Sequence, residues 1–208
     1  MAALQILGMP LSNYVWSTRI GCVEKGVDYE LVNVRPHSPE INAINPLGKM
    51  PAMKHGEVQL CESKAILSYI DTAFEGPALA PRDPLNAAKA EQWASVINTA
   101  TDPAIMRAYV VPIIFAPGGQ PDRAKIEAAL PALEKQMDIL DKAVAETGYL
   151  VGKSFTIPDM LLVPILAAAS RFPESSAALA KRPNLQKYLQ THIARDSVRT
   201  TAPPPPKS

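Results

Sequence analysis

Asn45-Pro46-Leu47-Gly48-Lys49-Met50-Pro51, followed downstream by Glu62-Ser63, is where the reading begins. Asn45-Pro46 and Leu47-Gly48 are turn chemistry, because proline fixes φ and glycine tolerates positive φ. Pro51 opens a short apolar run, Ala52-Met53, and a proline is tolerated as the first residue of a strand. Val58-Gln59-Leu60 reads as a second short strand, with His55-Gly56 as the turn between them. Directly after Glu62-Ser63, Ile66, Leu67, Ile70 and Phe74 fall at helical spacing. A hairpin therefore delivers Glu62 and Ser63 to a helix N-terminus. Free backbone N–H groups, a hydroxyl and the positive end of the helix dipole suit a carboxylate ligand there.

Upstream, Leu4 to Leu7 reads as a strand stopped by Gly8 and Pro10. Ser12 to Lys25 reads as a helix closed by Gly26, and Tyr29 to Val34 as a second strand. Arg35 to Ile44 is irregular, with one helical turn after Pro39. The order β-α-β, loop, β-β-α predicts an α/β thioredoxin-like domain over residues 1–76. Residues 77–84, rich in proline, read as a linker. Beyond it the chain reads as an all-α helical domain over 85–200. Asp102-Pro103 predicts a kink there, and Ile126, Leu130, Leu133, Met137, Leu140 and Val144 form an amphipathic stripe. Thr156 and Asp159 form a variant capping box ahead of a helix apolar nearly all round, which is expected to be central and kinked at Pro164. Residues 201–208, with Pro203 to Pro206, read as a disordered tail.

Composition bounds the function. With 208 residues, 47% of them hydrophobic, the chain can bury a substantial core. Lys and Arg (21) nearly cancel Asp and Glu (20), so no electrostatic case exists for nucleic acid or an anionic membrane. No apolar run approaches the ~20 residues needed to span a bilayer, and no signal peptide is read at the N-terminus. Cys22 and Cys61 lack metal-like spacing and read as buried free thiols, consistent with a cytoplasmic protein without a metal.

The Asn-Pro-x-Gly-x-x-Pro loop, the hairpin and the Glu-Ser pair together resemble the glutathione-binding segment of the cytosolic glutathione transferases. Gly8-Met9-Pro10-Leu11-Ser12, followed by Thr18-Arg19 and Glu24-Lys25, is similar to the serine-type phi enzymes and their bacterial and fungal relatives. The resemblance spans nearly the whole chain, with the last ten or so residues outside it. Pro158 and Pro164 depart from the family pattern. It implies glutathione as co-substrate and a cis Met50-Pro51 bond, although only about 5–6% of X–Pro bonds in folded proteins are cis. It further implies that the Met50 backbone pairs with the cysteinyl part of glutathione and that Glu62 and Ser63 hold the γ-glutamyl end. His37 and Lys49 flank the loop and are assigned to the glycyl carboxylate; read alone, each is an ordinary surface residue.

A free thiol titrates near ~8.5, so catalysis must stabilise the sulfur anion. Ser12, Tyr14 and Ser17 stand where the first strand meets the first helix, whereas Cys22 lies too deep in that helix. The resemblance selects Ser12 as the hydrogen-bond donor to the thiolate, with Tyr14 as runner-up. Read alone, Ser12 is equally a helix cap, a role that competes for the same hydroxyl. The electrophile is expected between the domains, with Leu11, Met106, Tyr109 and Phe115 as candidates for an apolar wall; core packing is the competing reading for each.

The expected activity is transfer of glutathione to hydrophobic electrophiles, with glutathione peroxidase activity beside it. A non-catalytic glutathione or hydrophobic-ligand binding protein is the alternative, and Ser12 favours the enzyme. An interaction domain lacks support from any extension or basic patch. A glutathione-dependent isomerase would carry a Ser-Ser-Cys-Ser type motif, which is missing. The resemblance, with Tyr69 and Ile97 on apparently unpartnered helix faces, implies a homodimer.

Overall fold

The computed structural model describes residues 3–204 of the chain. They divide into two compact units: the described parts of Met1–Arg82 and Ala194–Ser208, and Asp83–Ile193.

In the first unit β1 (Leu4–Leu7), α1 (Asn13–Lys25) and β2 (Tyr29–Val32) are followed by a single helical turn, α2 (Pro39–Asn42). The hairpin β3 (Ala52–His55) and β4 (Val58–Cys61) leads into α3 (Ser63–Ala73). The sheet order is β2-β1-β3-β4, with β1 parallel to β2 and the other two pairings antiparallel. The pleat sends Leu4 and Ile6 into the core, with Ile66, Leu67 and Ile70 of α3 buried by their helical spacing. On the sheet, Leu7 and Ala52 pack with Ile41 of α2, with Met50 against the same cluster. Gly26 ends α1 at φ 76°, as a left-handed cap requires. Gly21 lets α1 approach α3 closely, because a Cβ there would lie 2.2 Å from Leu67 Cδ2.

Two domain boundaries differ from the sequence reading. The stretch after Phe74, read as a linker, is anchored on the first unit: Leu79 is buried, its N–H donates to Asp71 Oδ1 at 2.8 Å, and Arg82 pairs with Asp71. A buried carboxylate seeks such donors, and Lys25 supplies another at 3.2 Å. The C-terminal boundary also moves. Residues from Ala194, including α10 (Asp196–Thr200), belong to the first unit, where α10 packs on α1. Thr201 is buried, so an unstructured tail does not begin there, and the tail reading for 205–208 lies outside the described residues.

The second unit is helical throughout its described elements. A long helical run comprises α4 (Pro84–Val96), a stretch with π-type turns (Ile97–Val110) and a short α5 (Val111–Ile114). Pro117–Gly119 forms a 3₁₀ turn before α6 (Arg123–Val144), α7 (Ile157–Ala169), α8 (Pro173–Ala180) and α9 (Pro183–Ile193). Every residue of α7 except Ala168 is buried, as its all-round apolar sequence predicts. Pro164 sits inside this uninterrupted helix. Ile97 is buried within the unit, so it does not supply the unpartnered face read from the sequence, and the Tyr69 hydroxyl lies 2.9 Å from His55 Nδ1.

Among the described residues, no helix is long and apolar enough to cross a membrane.

Candidate active site

Register assembles the site. Leu7 pairs with Ala52, and Ala52 with Cys61, so three chain segments leave the sheet at one end. They are Gly8–Ser12 after β1, Lys49–Pro51 before β3, and Glu62-Ser63 after β4. Adjacent strands lie about 4.8 Å apart, so these segments sit within the length of a tripeptide.

The loop before β3 is organised by Asn45. Its buried side chain donates to Lys49 O at 2.8 Å and accepts from Leu47 N–H at 3.0 Å, an Asx turn. The Met50-Pro51 bond is cis. His37, at φ 60°, donates its N–H to Gly48 O and lays its ring over that glycine. A Cβ on Gly48 would come within 2.0 Å of His37 Nδ1, so only glycine fits. The segment joining β1 to α1 is pressed against the same loop. A Cβ on Gly8 would meet Val15 and Met50, and Met9 N–H donates to Met50 Sδ at 3.2 Å.

Ser12 is the N-cap of α1, half-buried, with φ −73° and ψ 127°. Its Oγ accepts from Val15 N–H at 3.4 Å, and its carbonyl accepts from Trp16 N–H at 2.9 Å. Tyr14 is half-buried. Ser17 is fully buried and donates back to Asn13 O at 2.9 Å, which removes it as a candidate.

Glu62 is exposed, holds φ 69° and ψ 114°, and makes no side-chain cap bond. Ser63 is 5% exposed and starts α3. Lys49 is exposed beside the loop. Hence Ser12, His37, Lys49, Met50, Pro51, Glu62 and Ser63 all come to one end of the sheet.

The apolar candidates separate. Leu11 is 54% and Phe115 69% exposed. Met106 and Tyr109 are buried in the helical unit. The Tyr109 hydroxyl donates to Glu174 at 2.9 Å, accepts from Ser175 N–H at 3.3 Å, and its ring meets Phe172 edge-on. Tyr109 is therefore committed to packing, the competing reading for it. Cys61, read as buried, is half-buried, whereas burial pushes the Cys22 thiol up to about 12.

Sequence patterns of two domain families match the chain, the N-terminal domain of glutathione S-transferases over residues 6–78 and their C-terminal domain over 97–196. Glutathione S-transferase 3 of Zea mays is 33% identical over 100% of this chain and 99% of its own length. The chain belongs to the glutathione S-transferase family. The crystal structure of glutathione transferase F7 from Populus trichocarpa superposes with a TM-score of 0.87 at 28% identity, covering 96% of this chain and 97% of that one. A theta-class enzyme from Xanthomonas axonopodis, solved with glutathione bound, gives 0.83 at 26% identity, covering 97% and 98%. This transferase is accordingly an enzyme that uses glutathione as its co-substrate, and its relation to the plant enzymes bears out the phi-like resemblance.

Sequence reasoning did not anticipate His37 lying over Gly48 or the Met9–Met50 contact. The need for glycine at 48 was the available signal for the first; thioether acceptors leave none.

Proposed function

We propose that Ser12 donates a hydrogen bond to the glutathione thiolate while the surrounding segments hold the rest of the tripeptide. The convergence of three strand ends at Leu7, Ala52 and Cys61 carries this reading. The Met50 backbone, turned by Pro51, pairs with the cysteinyl unit in strand fashion. Glu62 meets the γ-glutamyl amine, and Ser63 with the first N–H groups of α3 meets its carboxylate. Lys49 and His37 meet the glycyl carboxylate.

The sulfur then lies beside the N-terminus of α1, where the Ser12 O–H and the positive end of the helix favour the anion. Deprotonation sends the thiol proton to solvent. The thiolate attacks an electrophilic carbon, the S–C bond forms, and the leaving group departs with its electron pair. With a hydroperoxide, the thiolate attacks the terminal peroxide oxygen, the O–O bond breaks and the alkoxide leaves as the alcohol after taking a proton; a second glutathione then displaces water from the resulting sulfenic acid to give the disulfide. Leu11, exposed next to Ser12, is the apolar contact for a hydrophobic electrophile. The protein acts as a cytoplasmic homodimer.

Turnover of a chloronitrobenzene-type substrate and of cumene hydroperoxide, wild type beside Ser12→Ala, tests the assignment. Activity lost in Ser12→Ala with glutathione binding retained supports it. Unchanged activity there, with activity abolished in Tyr14→Phe, moves the role to Tyr14.

A further inference from the structure

Helix α1 carries Ser12 at its start, so whatever fixes α1 fixes the hydroxyl. Its far half is held by α3, through the close approach of Gly21 to Leu67 and the donation of Lys25 Nζ to Asp71 O at 2.8 Å. In its first turns, Ser17 and Thr18 bond back to Asn13 O and Val15 O, so their hydroxyls tie the helix only to itself. Trp16 differs. Its backbone N–H donates to Ser12 O, while its buried indole N–H reaches Thr201 Oγ1 at 3.0 Å and Val198 O at 3.3 Å. One residue thus joins the Ser12 peptide to the far end of the first unit, at Val198 and Thr201.

That end is anchored in turn to the other half of α1. Thr201 Oγ1 donates to Ser197 O, Ser197 Oγ donates to Glu24, and Arg195 grips Glu24 with two bonds of 3.0 and 2.9 Å. The result is a closed ring of directional bonds from Trp16, through residues 195–201, to Glu24 two turns along. Apolar packing is non-directional and leaves a helix free to shift along or about its axis. A bidentate guanidinium–carboxylate pair and a buried indole bond remove that freedom.

We propose that the C-terminal turn is a clasp that sets the position of the Ser12 hydroxyl, with Trp16 and Thr201 as positioning residues for the transferase reaction. The proposal rests on the reading that Ser12 donates to the thiolate. Thr201→Val removes the indole's side-chain acceptor at constant shape, and Trp16→Phe keeps an aromatic ring but removes its donor. Each should raise the pKa of enzyme-bound glutathione, read as thiolate absorbance near 240 nm. Each should also lower kcat about three- to tenfold, less than the 10²–10³ of losing the donor itself, with the KM for glutathione nearly unchanged. In a Ser12→Ala background neither substitution should change kcat further, because the group being positioned is gone.

Variants that lower the melting temperature yet leave the thiol pKa and kcat at wild-type values would reduce the clasp to a structural tie and overturn the proposal. So would effects on kcat that persist in full without the Ser12 hydroxyl. Ser12→Ala that itself leaves the thiol pKa unchanged identifies the failure as that of the underlying reading. If Trp16→Phe fails to fold, Thr201→Val alone decides.

Discussion

A serine hydroxyl has two lone pairs and one proton, and the two uses assigned to Ser12 draw on different parts of it. As a cap it accepts from Val15 N–H; as a thiolate donor it gives its proton. The apparent competition between the roles disappears, since the cap orients the oxygen and leaves the O–H to point elsewhere. Ser12→Ala should therefore cut turnover by roughly 10²–10³-fold and move the pH–rate profile upward, with glutathione affinity nearly unchanged. The helix itself should lose only about 1 kcal/mol with its cap, measurable by urea unfolding. Glu62 offers a cleaner separation of fold from function. A non-glycine residue at φ 69° and ψ 114° is strained by about 1–3 kcal/mol, whereas glycine costs about 0.5–1 kcal/mol in chain entropy. Glu62→Gly should leave stability unchanged or slightly raised while weakening glutathione binding by about 1–3 kcal/mol, and calorimetry with a parallel melt reads both. The place of Glu62 beside Ser63 at the start of a helix was legible in the sequence, from the hairpin before it and the helical spacing after it. Its backbone was not, because glutamate gives no sign of positive φ. Cys22 was legible too: with its thiol at about 12, it should resist maleimide at neutral pH in the folded enzyme and react fully in denaturant.

At the scale of elements, the best-read pieces were those whose residues carry their own punctuation. Gly26 marked the end of α1, and the Thr156–Asp159 box the start of α7. The box does more than the pattern suggested, since Asp159 is fully buried and also accepts from Leu150 N–H and the Tyr188 hydroxyl. Those partners lie 9 and 29 positions away, outside the four-residue box, so only the fold could add them. Asp159→Ala leaves several buried donors unmatched and should cost about 3–5 kcal/mol by chemical denaturation, with the first unit's local structure intact by hydrogen exchange. Pro103 was read as a kink. The helical run does not break there; it passes through Pro103 with π-type turns, which also appear at its end as Val111 N–H to Met106 O. At the start of α8, Glu174 is held below the ordinary glutamate range, first by its backbone N–H bond and then by Tyr109 and Arg123. A depressed carboxyl stabilises the native state above its ordinary value, and that contribution is lost as pH falls through the lowered one. The stability gap between wild type and Glu174→Gln should therefore close as the pH is lowered below 4.5, and stay open at neutral pH.

For the whole molecule, alternating and helical periodicities sufficed to separate a sheet-bearing unit from a helical one, and the loop with Glu62-Ser63 identified the family. Missed was the return of residues 194–204 to the first unit. Nothing in Arg195 or Ser197 signals an attachment to Glu24 across 171 and 173 positions, because polar residues near a terminus read equally well as solvated. The proposed homodimer predicts a sedimenting species of twice the 22.4 kDa chain mass at micromolar concentration, and a species at the chain mass alone would remove it.

The return also sets an order of events during synthesis. The strands and the first helix emerge early, but the acceptors for the Trp16 indole lie 182 and 185 positions later. At roughly 5–20 residues per second, Trp16 waits on the order of ten seconds or more for them. A ribosome-bound chain stalled soon after Arg82 should therefore hold its sheet while the indole still emits as if in water. The blue shift that reports closure should arrive only once Val198 and Thr201 have emerged.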